Sequence, residues 1–147
     1  MAIKGMDSLK ARLKNIGKSY ESNKQVRAGF LEGATYPDGT PVALVAAVHE
    51  FGAPAKNIPA RPFFRAAIAQ NKDKWAGQLA KAIEATSNTE GALDMVGEVI
   101  KDDVRNSIRD GDWAPNKPKT AARKGFSKPL IDTAHMVNSV GHEVTEK

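Results

Sequence analysis

The residues of this chain whose types could do chemistry are few, and the first to weigh is the dipeptide His49–Glu50. A metal hydrolase of the HExxH kind needs a second histidine four residues on, so that both imidazoles meet one metal from one helix face. Here the position four after His49 is Ala53, and Gly52 ends the helix before that turn can form. His135 and His142 lie far along the chain, each isolated. There is no cysteine, which excludes disulfides, thiolate nucleophiles and Cys-type zinc sites and fits a reducing cytoplasm. No GxSxG is present, and KGFSK (124–128) lacks the spacing of a phosphate-binding loop. Asp102–Asp103 sits mid-helix among other charges and reads as a solvated face. These observations predict a protein with no catalytic residue, no metal and no cofactor. His49 and Glu50 are expected at a helix end, hydrogen-bonding the loop that follows.

That loop leads into IPARPFFRAAI (58–68), where Arg61 and Arg65 flank Pro62, Phe63 and Phe64. Arginine keeps its charge in any surroundings and grips carboxylates in bidentate fashion. The prolines restrict the backbone. Aromatic and arginine side chains on a rigid support make the composition of an interface anchor. The plainer alternative is a loop packed on its own core.

The elements that must position these residues follow from periodicity. Met6, Leu9, Leu13, Ile16 and Tyr20 form one apolar stripe of an N-terminal amphipathic helix within 1–24. Val26, Ala28 and Phe30 alternate with Arg27 and Gly29 as a half-buried strand does, and Gly29 and Gly33 suggest a bulge or a close backbone contact. YPDGT (36–40) is a turn. TPVALVAAVHEFG (40–52) predicts a helix with Thr40 as N-cap, Pro41 in its first turn and Gly52 at its end. Its expected inner face carries Val45, Val48 and Phe51 or Gly52, with Leu44 beside them. Pro62 starts a long helix with Phe64, Ile68, Trp75, Leu79 and Ile83 on one face. Ser87 and Glu90 have capping-box spacing for the next helix, whose stripe is Leu93, Val96, Ile100, Val104 and Ile108. Asp110–Gly111 ends it. Residues 111–129 predict a long, exposed, mobile basic loop. A short helix at about 133–140 follows, capped by Asp132 or Thr133, and GHEVTEK (141–147) is either a strand pairing with 25–36 or a frayed tail. The sum is one α+β domain over 1–147: a small antiparallel sheet, one long helix and several shorter ones.

The chain has 147 residues and a net charge of +5, and the excess is uneven. Residues 1–27 carry Lys4, Lys10, Arg12, Lys14, Lys18, Lys24 and Arg27 against Asp7 and Glu21, while 113–131 carry Lys117, Lys119, Arg123, Lys124 and Lys128 with no acid. Such segments suit an acidic partner or nucleic acid. Few aromatics interleave them, which argues against a single-strand stacking platform. No apolar run reaches the ~18–20 residues that cross a bilayer, and MAIKGMDSLK has no apolar core of a secretory signal, so no membrane partner is expected.

HEFG followed by IPARPFFR resembles the (H/N)EFG…IPARPFLR pattern of small morphogenesis proteins of tailed bacteriophages, the neck or tail-completion proteins of the head–tail junction. Matching positions are His49 to Gly52, Ile58 to Phe63 and Arg65. The segment SIRDGDWAPNKPKTAARKGFSKPLIDTAHMVNSVGHEV (107–144) is similar to the second half of the same pattern, through Pro115, Thr120, Arg123 to Gly125, Pro129 to Thr133 and Ser139. Together the two stretches cover about residues 40–145. One position departs: Ala134 stands where the pattern has the glycine of DTG. If that site needs a positive φ, alanine costs about 1 kcal/mol or more. If it is helical, alanine is favoured.

The resemblance implies a structural virion protein assembled in the host cytoplasm. It would work as a ring homo-oligomer in the neck, between portal or connector-side proteins and tail-terminator or tail-tube proteins. On that reading Glu50, Phe51, Arg61, Phe63, Phe64 and Arg65 form a subunit or partner interface, with Arg61, Phe63, Phe64 and Arg65 at the joint between neighbours. Lys117, Lys119, Arg123, Lys124 and Lys128 would then dock on an acidic partner ring or touch DNA in the channel. The alternative is a basic nucleic-acid-binding accessory protein.

Overall fold

A computed structural model of the protein describes residues 5–132 and 134–147, without the side chains of Ile16, Ser19 and Tyr20. The elements in chain order are α1 (Met6–Tyr20), β1 (Lys24–Phe30), α2 (Val42–Phe51), α3 (Phe63–Thr86), α4 (Thr89–Asp110), α5 (Pro118–Lys124), α6 (His135–Asn138) and β2 (Val140–Glu146). The fold is α+β, as its periodicities predict.

The apolar stripe of α4 organises the rest. Leu93, Val96, Val104 and Ile108 are buried, with Ile100 partly so. α4 packs along α3 on one side and under both strands on the other. β1 and β2 form a two-stranded antiparallel sheet in which Lys24 faces Glu146 and Phe30 faces Val140. GHEVTEK is therefore a strand and not a frayed tail. Val42, Phe63, Val104, Ile108, Val137 and Val140 are the largest fully buried side chains, so the core lies where α2, the start of α3, α4 and the α6–β2 corner converge. Full burial of one such side chain is worth about 1.5–3 kcal/mol. A smaller cluster of Ala82, Ile83 and Ala92 seals the turn between α3 and α4.

Several boundaries differ from expectation. The α4 cap is Asn88, whose side chain accepts from the Gly91 amide at 3.1 Å; Ser87 instead ends α3 with a left-handed φ of 52°. Pro41, not Thr40, holds the N-cap position of α2, and Pro62 precedes α3 by one residue. The basic segment 111–129 contains α5. Pro118 opens it and Gly125 closes it with φ 78°, a pairing of start and stop signals readable in the sequence. Gly29 is buried, and the Phe64 ring lies 3.3 Å from where a Cβ would stand, which is the close contact its position suggests. Thr133, one of the two caps considered for α6, lies outside the described residues; Ala134 precedes that helix with φ 61°. The first of the two readings of Ala134 therefore holds: the site takes a left-handed backbone that glycine would suit.

Candidate functional site

Helix α3 opens with Arg61-Pro62-Phe63-Phe64, and no Ser, Thr, Asp or Asn stands there to cap it; Pro62 offers no side-chain bond. Its first amides would be orphaned without an acceptor. Glu50, in the last turn of α2, supplies it. Oε2 accepts the Phe64 amide at 2.9 Å, and Oε1 accepts the Arg65 amide at 3.2 Å and the Arg65 Nε at 2.8 Å. The Arg65 Nη2 also donates to the Glu50 carbonyl at 3.0 Å. A carboxylate at a helix N-terminus meets the positive end of the helix dipole as well as the free amides. Glu50 thus caps a neighbouring helix, and its side chain is buried.

That role decides which way α2 faces. The buried positions are Val42, Ala46 and Glu50, spaced by four. Val45 and Val48 are only half-buried, while Leu44 and Phe51 are 58% and 67% exposed. The face expected from apolar content alone is therefore rotated: Glu50 turns inward to α3, Val45 and Val48 sit at the boundary, and Leu44 and Phe51 turn out. Gly52 then reverses the chain with φ 74°. A Cβ there would stand 2.8 Å from the Ala60 nitrogen and 2.9 Å from the Ile58 oxygen, so only glycine fits. Residues 53–58 close on themselves through the Ala53–Ile58 bridge, around a 3-10 turn at Pro54–Lys56.

Arg61 is the second pin. Only 4% exposed, it donates Nε to the Ala114 carbonyl at 2.7 Å and Nη2 to the Pro115 carbonyl at 3.1 Å. Its Nη1 lies 3.2 Å from His49 Nδ1, and its amide donates to the His49 carbonyl at 2.7 Å. A guanidinium cannot accept, so His49 Nδ1 must be the acceptor and the imidazole neutral. Burial, and then the charges of Arg61 and Lys124, hold His49 at about 4, well below its usual 6.5. Asparagine would offer an acceptor oxygen at a similar reach. His49 is a strut in a cationic pocket.

Most of the other titratable groups weighed for chemistry are also engaged. Asp103 accepts from the Trp75 Nε1 and the Lys74 Nζ, each at 2.7 Å, while Asp102 is exposed beside Arg105. His135 Nε2 meets the Thr35 carbonyl, and His142 Nε2 meets Asp94, both at 2.8 Å. Among the described residues no group of three His, Asp or Glu converges as a metal-ligand set.

The expected interface residues thus separate into two kinds. Glu50, Arg61 and Phe63 are buried and cannot meet a docking partner directly; Phe63 is core, and Phe64 is half-buried over Gly29. Phe51 and Arg65 are exposed, and the Arg65 guanidinium stacks on the Phe51 ring at 5.2 Å. Leu44, one face-repeat earlier on α2, and Ile68, one turn later on α3, extend this surface, and neither was foreseen as exposed. The clue was available: a glutamate four residues from Ala46 and eight from Val42 competes with the apolar residues for the inner face.

The basic segment is tied down along its length. Lys117 donates to the Lys56 carbonyl at 3.3 Å, and Lys124 donates to the Lys128 carbonyl at 2.7 Å while lying over the Phe126 ring. Arg123 reaches Asp132 at 3.3 Å. Asn116 bonds the Ser127 and Lys128 carbonyls, closing the segment into a loop around α5. Lys119 and Lys128 are exposed. In comparison with known proteins, no family model matches the chain, and neither does any curated protein or solved structure.

Proposed function

We propose that this protein is a structural component of a tailed-phage virion, a neck or tail-completion subunit that works in a ring at the head–tail junction. The observation that carries the reading is the use of HEFG and IPARPFFR. Their charged residues are spent on locking α2, α3 and the loop at 114–115 together, and the lock holds an exposed Phe51–Arg65 pair beside Leu44 and Ile68. A rigid, aromatic, arginine-bearing apolar surface is what a lasting protein–protein contact needs. His49 Nδ1 and both Glu50 carboxylate oxygens are already hydrogen-bonded within the fold, which favours a structural over an enzymatic role.

For the basic loop, docking on an acidic ring is favoured over DNA binding, because a tightly cationic channel would retard the passage of DNA. The deciding experiment is electron microscopy of lysates made by the encoding phage with an amber codon in this gene. DNA-filled heads beside separate finished tails are the expected result. Normal infectious particles would reject the neck reading. Retention of duplex DNA that falls steeply with salt would move the nucleic-acid alternative ahead.

A further inference from the structure

The sheet has two strands, so each strand has a free edge. In an antiparallel ladder, residues alternate between pairs that exchange hydrogen bonds and pairs whose amides and carbonyls point away. The Lys147 amide donates to the Asn23 carbonyl at 2.7 Å, in line with the register that pairs Gln25 with Thr145 and Arg27 with Glu143. The odd-numbered residues of β1 are therefore the bonded ones. At the strand ends, three outward groups find side chains instead: the Lys24 amide bonds Ser22, the Val140 carbonyl bonds Arg105, and the Glu146 carbonyl bonds Gln25. In the middle, the amides and carbonyls of Val26 and Ala28 on one edge, and of His142 and Val144 on the other, are left facing outward. Among the described residues, neither side is filled. An open groove of about 460 Å³ runs beside residues 27–32, walled by Ala43 and Phe64, and one of about 580 Å³ lies between Val144 and the start of α4.

Charge selects what can fill them. β1 carries Lys24 and Arg27, whereas β2 carries Glu143 and Glu146. Pairing two β1 edges sets cation against cation, and pairing two β2 edges sets carboxylate against carboxylate; both are unfavourable. The unlike edges match. Arg27 and Glu143 are exposed and opposite in register, yet among the described residues they close no ion pair, so both charges are unspent.

We propose that the β1 edge of one copy takes the β2 edge of the next, so that the two-stranded sheets of adjacent subunits join into one continuous sheet. This inference rests on the ring reading and names its joint: a heterologous contact of one surface with a different one, as ring closure requires. Arg27 then lies between its own Glu143 and the neighbour's.

The test uses two variants of the full chain. Ala28→Pro removes an outward amide from β1, and Val144→Pro removes one from β2, while the inner ladder keeps its bonds. Each alone should be monomeric by native mass spectrometry where the wild-type chain forms larger species. Mixed, they should form a one-to-one heterodimer and nothing larger, because each retains the edge the other needs. Two further measurements do not depend on the prolines folding. On wild-type assembly, amide exchange at Val26, Ala28, His142 and Val144 should slow about tenfold or more, with Arg27 as the already protected reference. Arg27→Glu should weaken association, and adding Glu143→Arg in the same chain should restore it. A wild-type chain that stays monomeric at every concentration, alone or with head and tail extracts, removes the ring reading and this joint with it. Wild-type oligomers in which those four amides exchange freely, or that survive either proline variant in a folded chain, overturn the edge pairing alone.

Discussion

The α2–α3 junction and the helix α1 break the rule of apolar inside and charged outside from opposite directions. At the junction, a glutamate and an arginine are inside, at 6% and 4% exposure. On α1, Leu9 and Leu13 are outside, at 57% and 59%. The difference is one of satisfaction rather than polarity. Each junction charge has its hydrogen-bond partners arranged around it, Glu50 by the first amides of α3 and Arg65, Arg61 by His49 and the carbonyls of 114 and 115, which offsets the cost of leaving water. Leu9 and Leu13 have the right spacing for burial, but among the described residues α1 meets little beyond a few positions of α3. The junction specifies the fold of the monomer. Leu9 and Leu13 contribute little to it.

The contrast is open to measurement, and the largest effect belongs to the junction. Arg61→Met fills similar volume but leaves the Ala114 and Pro115 carbonyls and His49 Nδ1 without a donor. Loss of about 3 kcal/mol is expected, read as a fall in the urea midpoint at unchanged slope. A fall as small as that of an exposed substitution would erase the distinction between the two regions. Next comes the acid limb of the same lock. His49 titrates near 6.5 when unfolded and at about 4 when folded. Its pKa is depressed on folding, so its contribution is intact above about 6.5 and drains away as pH falls toward 4. In His49→Asn, which keeps an acceptor for Arg61 without a titrating ring, that part of the pH profile should flatten. An unchanged profile would assign the acid limb to other groups.

A substitution belonging to neither region sets the scale between them. Ala134 holds φ 61° before α6, and Ala134→Gly should stabilise by about 1 kcal/mol, raising Tm by about 4 °C. The smallest effect is on α1. Leu9→Gln with Leu13→Gln should change monomer stability by less than about 0.5 kcal/mol in the same urea titration. A loss of 2 kcal/mol or more would mean that the stripe is part of the core after all.

Much of the architecture could be read from periodicity. The α4 stripe and a helix over HEFG follow from spacing and caps, because these signals are local, whereas 141–147 left both a strand and a frayed tail open, since its partner β1 lies at the other end of the chain. The orientation of α2 did not follow. Leu44 and Phe51 outscore Glu50 on any apolar count, and the carboxylate's destination, an uncapped helix start fourteen residues on, is a tertiary fact. Arg61 misled for the same reason: an arginine beside Pro and Phe reads as a surface anchor until the carbonyls of 114 and 115 arrive from 53 and 54 residues further along. Helix α5 was legible and passed over, since Pro118 and Gly125 delimit it. The cap at Asn88 rather than Ser87 is a one-residue competition between two good caps that spacing alone does not decide.

The pairing of β1 with β2 spans every element from α2 to α6. Closing so long a loop costs entropy that only the finished sheet returns, whereas α3 and α4 meet as neighbours in the chain. The helical hairpin can therefore form early, and the sheet closes late. A copy that has stalled part-way has no matched pair of strand edges to offer. Entry into an assembly built on those edges is then a proofreading step, in which the last contact made within each subunit is the credential for the first contact between subunits.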